Sequence, residues 1–312
     1  MNRNDVDWKG YFPAFVTPFT EDGALDLDTL AALVEHYVAE GMHGIVVNGT
    51  CGEWFSQTDD ERRAVAEAAS AQAAGRLRVI VGCTAYTAAQ SADLSRHALG
   101  AGADGVLISP PPYVKLFDPE VVAFYEDVSA RVAGPLVVYN WPYGSGIDIG
   151  TDLADRLADI DHIVAIKDST PDADQFFATS RRVRDRVRVF GPYLGERGLE
   201  ELRTHGGDGS VGGGSLFGRA DPQYWEDVWA GDLDKAHEHA VRSDRLFPQL
   251  WLPGGWAGKF GAYQSQLKAL MQMLGQPGGH VRAPRLPVTD PAALAEMRAI
   301  LVREGLLPGV PA

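Results

Sequence analysis

Ile163-Val164-Ala165-Ile166-Lys167-Asp168-Ser169-Thr170 is an apolar run ended by a charged residue and followed by hydroxyl side chains. Four consecutive apolar residues bounded by a polar segment read as a buried strand. Lys167 ends that run, so its amine points into whatever lies at the carboxyl end of the strand. Loss of water at such a place favours the neutral amine, a nucleophile able to condense with a carbonyl and form a Schiff base. A lone lysine at a strand end more often snorkels to solvent. Residues elsewhere in the chain decide between the two.

Seven further apolar runs fall at 12–16, 44–47, 78–81, 105–108, 136–139, 187–190 and 209–211. Amphipathic stretches fill the gaps at 28–40, 58–74, 87–100, 119–132, 152–158, 172–184, 196–204 and 222–230. Asp28 and Thr58 stand where helix N-caps are expected. Eight strand-helix repeats predict a closed (β/α)8 TIM barrel over residues 1–231, with its active site at the carboxyl ends of the strands. The eighth strand is the weakest, because Val211-Gly212-Gly213-Gly214 has little strand propensity. Residues 232–312 predict an appended C-terminal helical layer, with helices at 233–246, 259–274 and 291–304 around a proline-rich segment at 284–287.

Two segments share the strand ends with Lys167. Tyr139 closes the run Leu136-Val137-Val138 and precedes Asn140-Trp141-Pro142. A phenol beside an amine can move the protons that imine formation requires, although a core tyrosine bonded to backbone would look the same. Gly49-Thr50-Cys51-Gly52-Glu53 follows the run at 44–47 and precedes a helix. Two glycines around a hydroxyl residue let backbone amides approach an anion, which suits a carboxylate. Glycine-rich turns of this kind are common, and this one is only moderately specific.

In order and spacing these segments resemble the dihydrodipicolinate synthase and N-acetylneuraminate lyase family of class I aldolases. The resemblance spans nearly the whole chain and includes Phe15-Val16-Thr17-Pro18-Phe19, Gly206-Gly207-Asp208-Gly209 and Arg285-Leu286-Pro287. It implies that Lys167 forms an imine with pyruvate or a related 2-oxo acid, that Tyr139 handles protons, and that Thr50, with Gly49 and Cys51, holds the carboxylate. Gly191, Val211 and Trp141 are the other substrate-binding positions it implies. The family often brings a second tyrosine across a dimer interface, and Tyr113 in Pro110-Pro111-Pro112-Tyr113 is the nearest match. A homo-oligomer, dimer or tetramer, is implied in the same way.

Three departures narrow the substrate. Cys51 replaces the second of two adjacent threonines usual in the synthase branch, and a thiol is a weaker hydrogen-bond partner. Tyr143-Gly144-Ser145-Gly146 lacks the arginine that would hold a second carboxylate. Gly191-Pro192-Tyr193-Leu194 lacks the acidic residues that meet sugar hydroxyls in the lyase branch. With Trp54, Trp141 and Tyr143 nearby, the distal pocket should favour an uncharged or aromatic aldehyde. Trp251 and Trp256, in the extension, read as structural.

Composition agrees with a large buried core, at 45% hydrophobic over 312 residues. A net charge of −14 argues against nucleic acid as a partner. The two cysteines form no metal or disulfide pattern, the eight histidines are scattered, and no metal site is expected. The first residues lack the apolar core of a signal peptide and no stretch approaches a membrane span, so a cytoplasmic location is expected. The function expected is that of a lyase acting on a 2-oxo acid and an aldehyde, with the Lys167 imine in place of a cofactor. Alternatives are a 2-keto-3-deoxy sugar acid dehydratase or hydratase-aldolase, a barrel that binds a 2-oxo acid without turnover, and a phosphate-binding barrel using the glycines at 206–214 with Arg219.

Overall fold

The apolar runs leave no side of the chain to face water, and each becomes a strand covered on both faces. These are β1 (Gly10–Ala14), β2 (Gly44–Val47), β3 (Arg78–Gly82), β4 (Gly105–Ile108), β5 (Leu136–Asn140), β6 (Ile163–Asp168), β7 (Arg188–Phe190) and β8 (Gly209–Gly213). Each pairs in parallel with the next, and β8 closes on β1. The structure, a computed structural model, describes residues 1–308. Its architecture is the (β/α)8 barrel with C-terminal helices that the sequence predicts.

Successive residues of a strand point to opposite faces, and here they divide between two cores. Phe12, Val46, Ile80, Leu107, Val137 and Phe190 fill the barrel interior. Their neighbours Tyr11, Ile45, Val79, Val106, Val138 and Val189 pack outward against the helices. Trp8 plugs the amino-terminal end of the barrel, and any side chain at Gly105 would collide with its ring. That end is closed by packing, which leaves the carboxyl end for chemistry.

Local details differ from expectation at a few places. β1 begins and ends two residues earlier than 12–16, because its ladder to β8 runs from Gly10 opposite Gly209 to Ala14 opposite Gly213. Asp26, not Asp28, caps the helix Leu27–Glu40, its carboxylate accepting from the Thr29 amide. Asp28 lies in the first turn, where a negative charge complements the helix dipole. Thr58 caps the helix Asp59–Ala73 in a reciprocal box with Glu61. Beyond the barrel come helices Leu233–Leu250, Tyr263–Met273 and Pro291–Arg303. Leu250, Leu267, Leu270, Met297 and Ile300 on these helices join the outer core. Among the described residues no helix is long and apolar enough to cross a membrane.

Candidate active site

Strand register brings the two key side chains together: Tyr139 on β5 is opposite Lys167 on β6, and Asn140 is opposite Asp168. Lys167 is 8% exposed and Tyr139 6%. Lys167 Nζ lies over the Tyr139 ring, 3.7 Å from its centre. Trp141 is parallel to Tyr139, with ring centres 6.4 Å apart. Two cavities meet at Leu107. The inner one is narrow and is lined by Lys167, Val211, Phe12 and Phe190. The outer one is lined by Thr50, Trp54, Ser109, Tyr139, Trp141 and Ser145 among others, none of them charged.

Asn140 and Asp168 hold the pair of strand ends. Asn140 Nδ2 donates to Asp168 Oδ1 at 2.9 Å, and the Ile149 amide donates to Asn140 Oδ1 at 2.9 Å. Asp168 Oδ1 also accepts from the Thr170 amide at 2.9 Å. Burial pushes the Asp168 carboxyl up to about 6, against the lowering effect of the Thr170 and Asn140 hydrogen bonds, and the nearby Asp148 adds repulsion. Sequence reading singled out neither residue for this role. The available signal was an amide and a carboxylate directly after Tyr139 and Lys167.

The Thr50 loop is tied down by long-range contacts. Asn48 and Glu53 at its two ends both have φ of 52°, a left-handed conformation that side chains disfavour and that surrounding bonds must hold. Asn48 Nδ2 donates to the Arg62 carbonyl at 2.8 Å. Glu53 is fully buried and pairs with Lys268 at 2.7 Å. Lys268 Nζ also donates to the carbonyls of Thr17 and His280, at 2.7 and 2.5 Å. Burial draws the Lys268 pKa down, while Glu53 pulls it back. Gln264 Nε2 donates to the Thr50 carbonyl at 2.9 Å, and Gln57 Nε2 to that of Gly52 at 2.7 Å. Lys268 and Gln264 belong to the C-terminal layer, which thereby acts as a brace for the loop.

The sequence-derived positions distribute as follows. Gly49, Thr50, Trp54 and Trp141 line the outer cavity, and Val211 shares the inner one with Lys167. Cys51 is buried, and burial pushes its thiol up to about 11 even though Lys167 pulls the other way, so it is a thiol at neutral pH. Gly191 follows β7 but lines neither cavity; a side chain there would meet the Phe176 ring, a packing constraint. Tyr113 has φ of 81° and is 95% exposed, outside the cavity that its neighbour Pro112 lines. Tyr143 also lies outside that lining and packs against Trp256, both about half exposed. Trp251 is buried and stacks on Tyr263. Glycines of the phosphate-binding alternative meet a packing demand: side chains at Gly212 and Gly213 would collide with the hydroxyls of Tyr11 and Tyr263. Arg219 is exposed and donates to the Ala39 carbonyl.

Comparison with known proteins agrees with this geometry. Residues 7–302 match the Dihydrodipicolinate synthetase family. An uncharacterized DapA-like lyase of Rhizobium meliloti is 35% identical, with 96% of each chain covered. A 4-hydroxy-tetrahydrodipicolinate synthase of Phenylobacterium zucineum is 31% identical over 97% of this chain and 99% of its own. Among solved structures, dihydrodipicolinate synthase from Aquifex aeolicus superposes with a TM-score of 0.85 at 27% identity, covering 97% of this chain and 100% of that one. A prophage protein of the dihydrodipicolinic acid synthase family from E. coli K12, solved in complex with pyruvate, gives 0.84 at 26% identity with the same coverage. A lysine and a tyrosine at adjacent strand ends, beside a braced glycine-rich loop in a closed barrel, thus occur in a chain that belongs to the dihydrodipicolinate synthetase family and is a lyase of that family.

Proposed function

We propose that this lyase is a class I aldolase that works through an imine on Lys167. The observation that carries the reading is the Lys167 amine, buried and held 3.7 Å from the centre of the Tyr139 ring. Lys167 Nζ adds to C2 of a 2-oxo acid such as pyruvate, and the carbinolamine loses water to give a protonated imine. Tyr139 carries protons to and from the oxygen. In the cleavage direction the C4 hydroxyl of the bound aldol gives up its proton and the bond between C3 and C4 breaks. Its electron pair enters the enamine, and the aldehyde leaves. C3 of the enamine then takes a proton, and water releases the 2-oxo acid from Lys167. The imine itself is the electron sink, and the route needs neither metal nor cofactor. Thr50 and the neighbouring backbone amides hold the carboxylate.

The aldehyde partner we propose is uncharged or aromatic. Support comes from the outer cavity, whose lining has no charged side chain and includes Trp54 and Trp141. A second carboxylate would be desolvated there with no cation to meet it. A second reading, dehydration of a 2-keto-3-deoxy sugar acid, is favoured by the hydroxyls of Thr50, Thr84, Ser109 and Ser145 in the same lining. Both reactions share the enamine, and product analysis separates them. Tyr113, exposed in the single chain, is the position through which a second copy would complete a relay in a homo-oligomer.

Borohydride reduction in the presence of pyruvate should attach one irreversible adduct at Lys167, read by intact mass and peptide mapping. An unmodified Lys167, with several 2-oxo acids tried, would sink the imine mechanism. In the same preparation kcat/KM should favour uncharged or aromatic aldehydes over aspartate semialdehyde and N-acetylmannosamine. A preference for aspartate semialdehyde would overturn the pocket reading and leave the imine intact.

A further inference from the structure

Tyr263 comes from the C-terminal layer, yet its hydroxyl reaches the barrel mouth. It abuts Gly213, the last residue of β8, so closely that only glycine fits there. Its ring stacks on Trp251 with centres 4.3 Å apart, which fixes the direction of the hydroxyl. The next residue, Gln264, is the one that grips the Thr50 carbonyl at 2.9 Å. Burial, with the neighbouring Cys51 thiol and Tyr139 phenol, raises the Tyr263 pKa well above its ordinary value, so the group remains an O–H donor. Among the described residues Tyr11, Tyr125, Tyr193 and Tyr224 each spend their hydroxyl on a protein hydrogen bond. Tyr263 spends its hydroxyl on no protein partner among them and sits on the side of the site where Cys51 replaces a hydroxyl.

From this arrangement we infer that Tyr263 donates a hydrogen bond to the carboxylate of the bound 2-oxo acid, supplying the hydroxyl that Cys51 lacks. The carboxylate cradle is then built from two parts of the chain, the Thr50 loop and the C-terminal helix Tyr263–Met273. This rests on the imine reading of the site. It also gives the glycine at 213 a purpose, since any larger residue would displace the donor. Gly213→Ala should therefore weaken the same binding step.

The test measures pyruvate and aldehyde KM in Tyr263→Phe, which keeps the Trp251 stack. Loss of a hydrogen bond to a charged group should raise the pyruvate KM about tenfold or more and leave the aldehyde KM within about twofold. In a Cys51→Thr background the added threonine hydroxyl should shrink the Tyr263→Phe effect to a few-fold, a coupling that a purely structural tyrosine would not produce. An unchanged pyruvate KM, an equal rise in both KM values, or an equal loss in both backgrounds would overturn the inference. Wild-type borohydride trapping is run alongside: if wild type fails to label, the imine reading has failed, whereas labelled wild type with a silent Tyr263→Phe rejects the role of Tyr263 alone.

Discussion

Replacing Asp168 by asparagine should stabilise the protein at neutral pH and do little in mild acid. Asp168 is 3% exposed, and its folded-state pKa is about 6 against an ordinary 3.8. A carboxyl whose pKa rises on folding favours the folded state fully below the unfolded value and loses that contribution as pH climbs through the folded value. The window therefore runs from pH 3.8 to about 6, and at neutral pH the buried charge costs about 3 kcal/mol. Asparagine keeps a carbonyl oxygen for the Asn140 and Thr170 donors that Oδ1 now accepts. It replaces Oδ2, which has no partner among the described residues, with an amide whose unsatisfied hydrogens give back about 1–2 kcal/mol. A net gain of about 1–2 kcal/mol at pH 8 is expected, or roughly 1–4 °C in Tm for a chain of this size. Urea titrations at pH 5 and pH 8 measure it, and the difference between variant and wild type should fall toward zero or reverse at pH 5. An equal difference at both pH values would refute the assignment of a buried, charge-penalised carboxylate. Because both hydrogen bonds survive, kcat should change only a few-fold, whereas Asp168→Ala should lower it much further by freeing the strand end that carries Lys167.

Tyr139→Phe removes a hydroxyl with no protein hydrogen-bond partner among the described residues, so its Tm should stay near wild type while kcat falls about a hundredfold. Wild-type kinetics in the folded variant would remove Tyr139 from the proton path. Lys268→Met leaves the Glu53 carboxylate buried without its cation and should cost about 3–5 kcal/mol, or roughly 5–8 °C in Tm. Adding Glu53→Gln should recover most of that loss. Calorimetry that finds the single and double variants equally stable at pH 8 would mean that the ion pair does not brace the Thr50 loop.

Much of the barrel was legible because its strands are local signals. Runs such as Gly44–Val47 and Gly105–Ile108 are apolar throughout, are bounded by turn residues and alternate with amphipathic helices, and that pattern has few solutions besides a closed parallel sheet. Tyr139 and Lys167 could be assigned to strand ends for the same reason. Their pairing needed only that β5 and β6 be neighbours in register. Cap positions were less secure: Asp26 and Asp28 both lie near the helix start, and only backbone geometry decides which one turns its carboxylate to the Thr29 amide.

Local patterns along the chain suffice for the barrel, the family resemblance and the two residues at the strand ends. Features that depend on contacts between distant segments emerge only on packing. Three of the five residues of β8 are glycine, which leaves it little propensity of its own. It forms because β1 pairs with it over five residues and because Phe190, Tyr11 and Tyr263 fill the space its side chains would need. The Glu53–Lys268 pair, the grip of Gln264 on Thr50 and the reach of Tyr263 to Gly213 each join segments at least 50 residues apart in sequence. No periodicity or spacing encodes such contacts. They arise when the C-terminal helices bury their apolar faces against the barrel, which sets the positions of the polar side chains they carry.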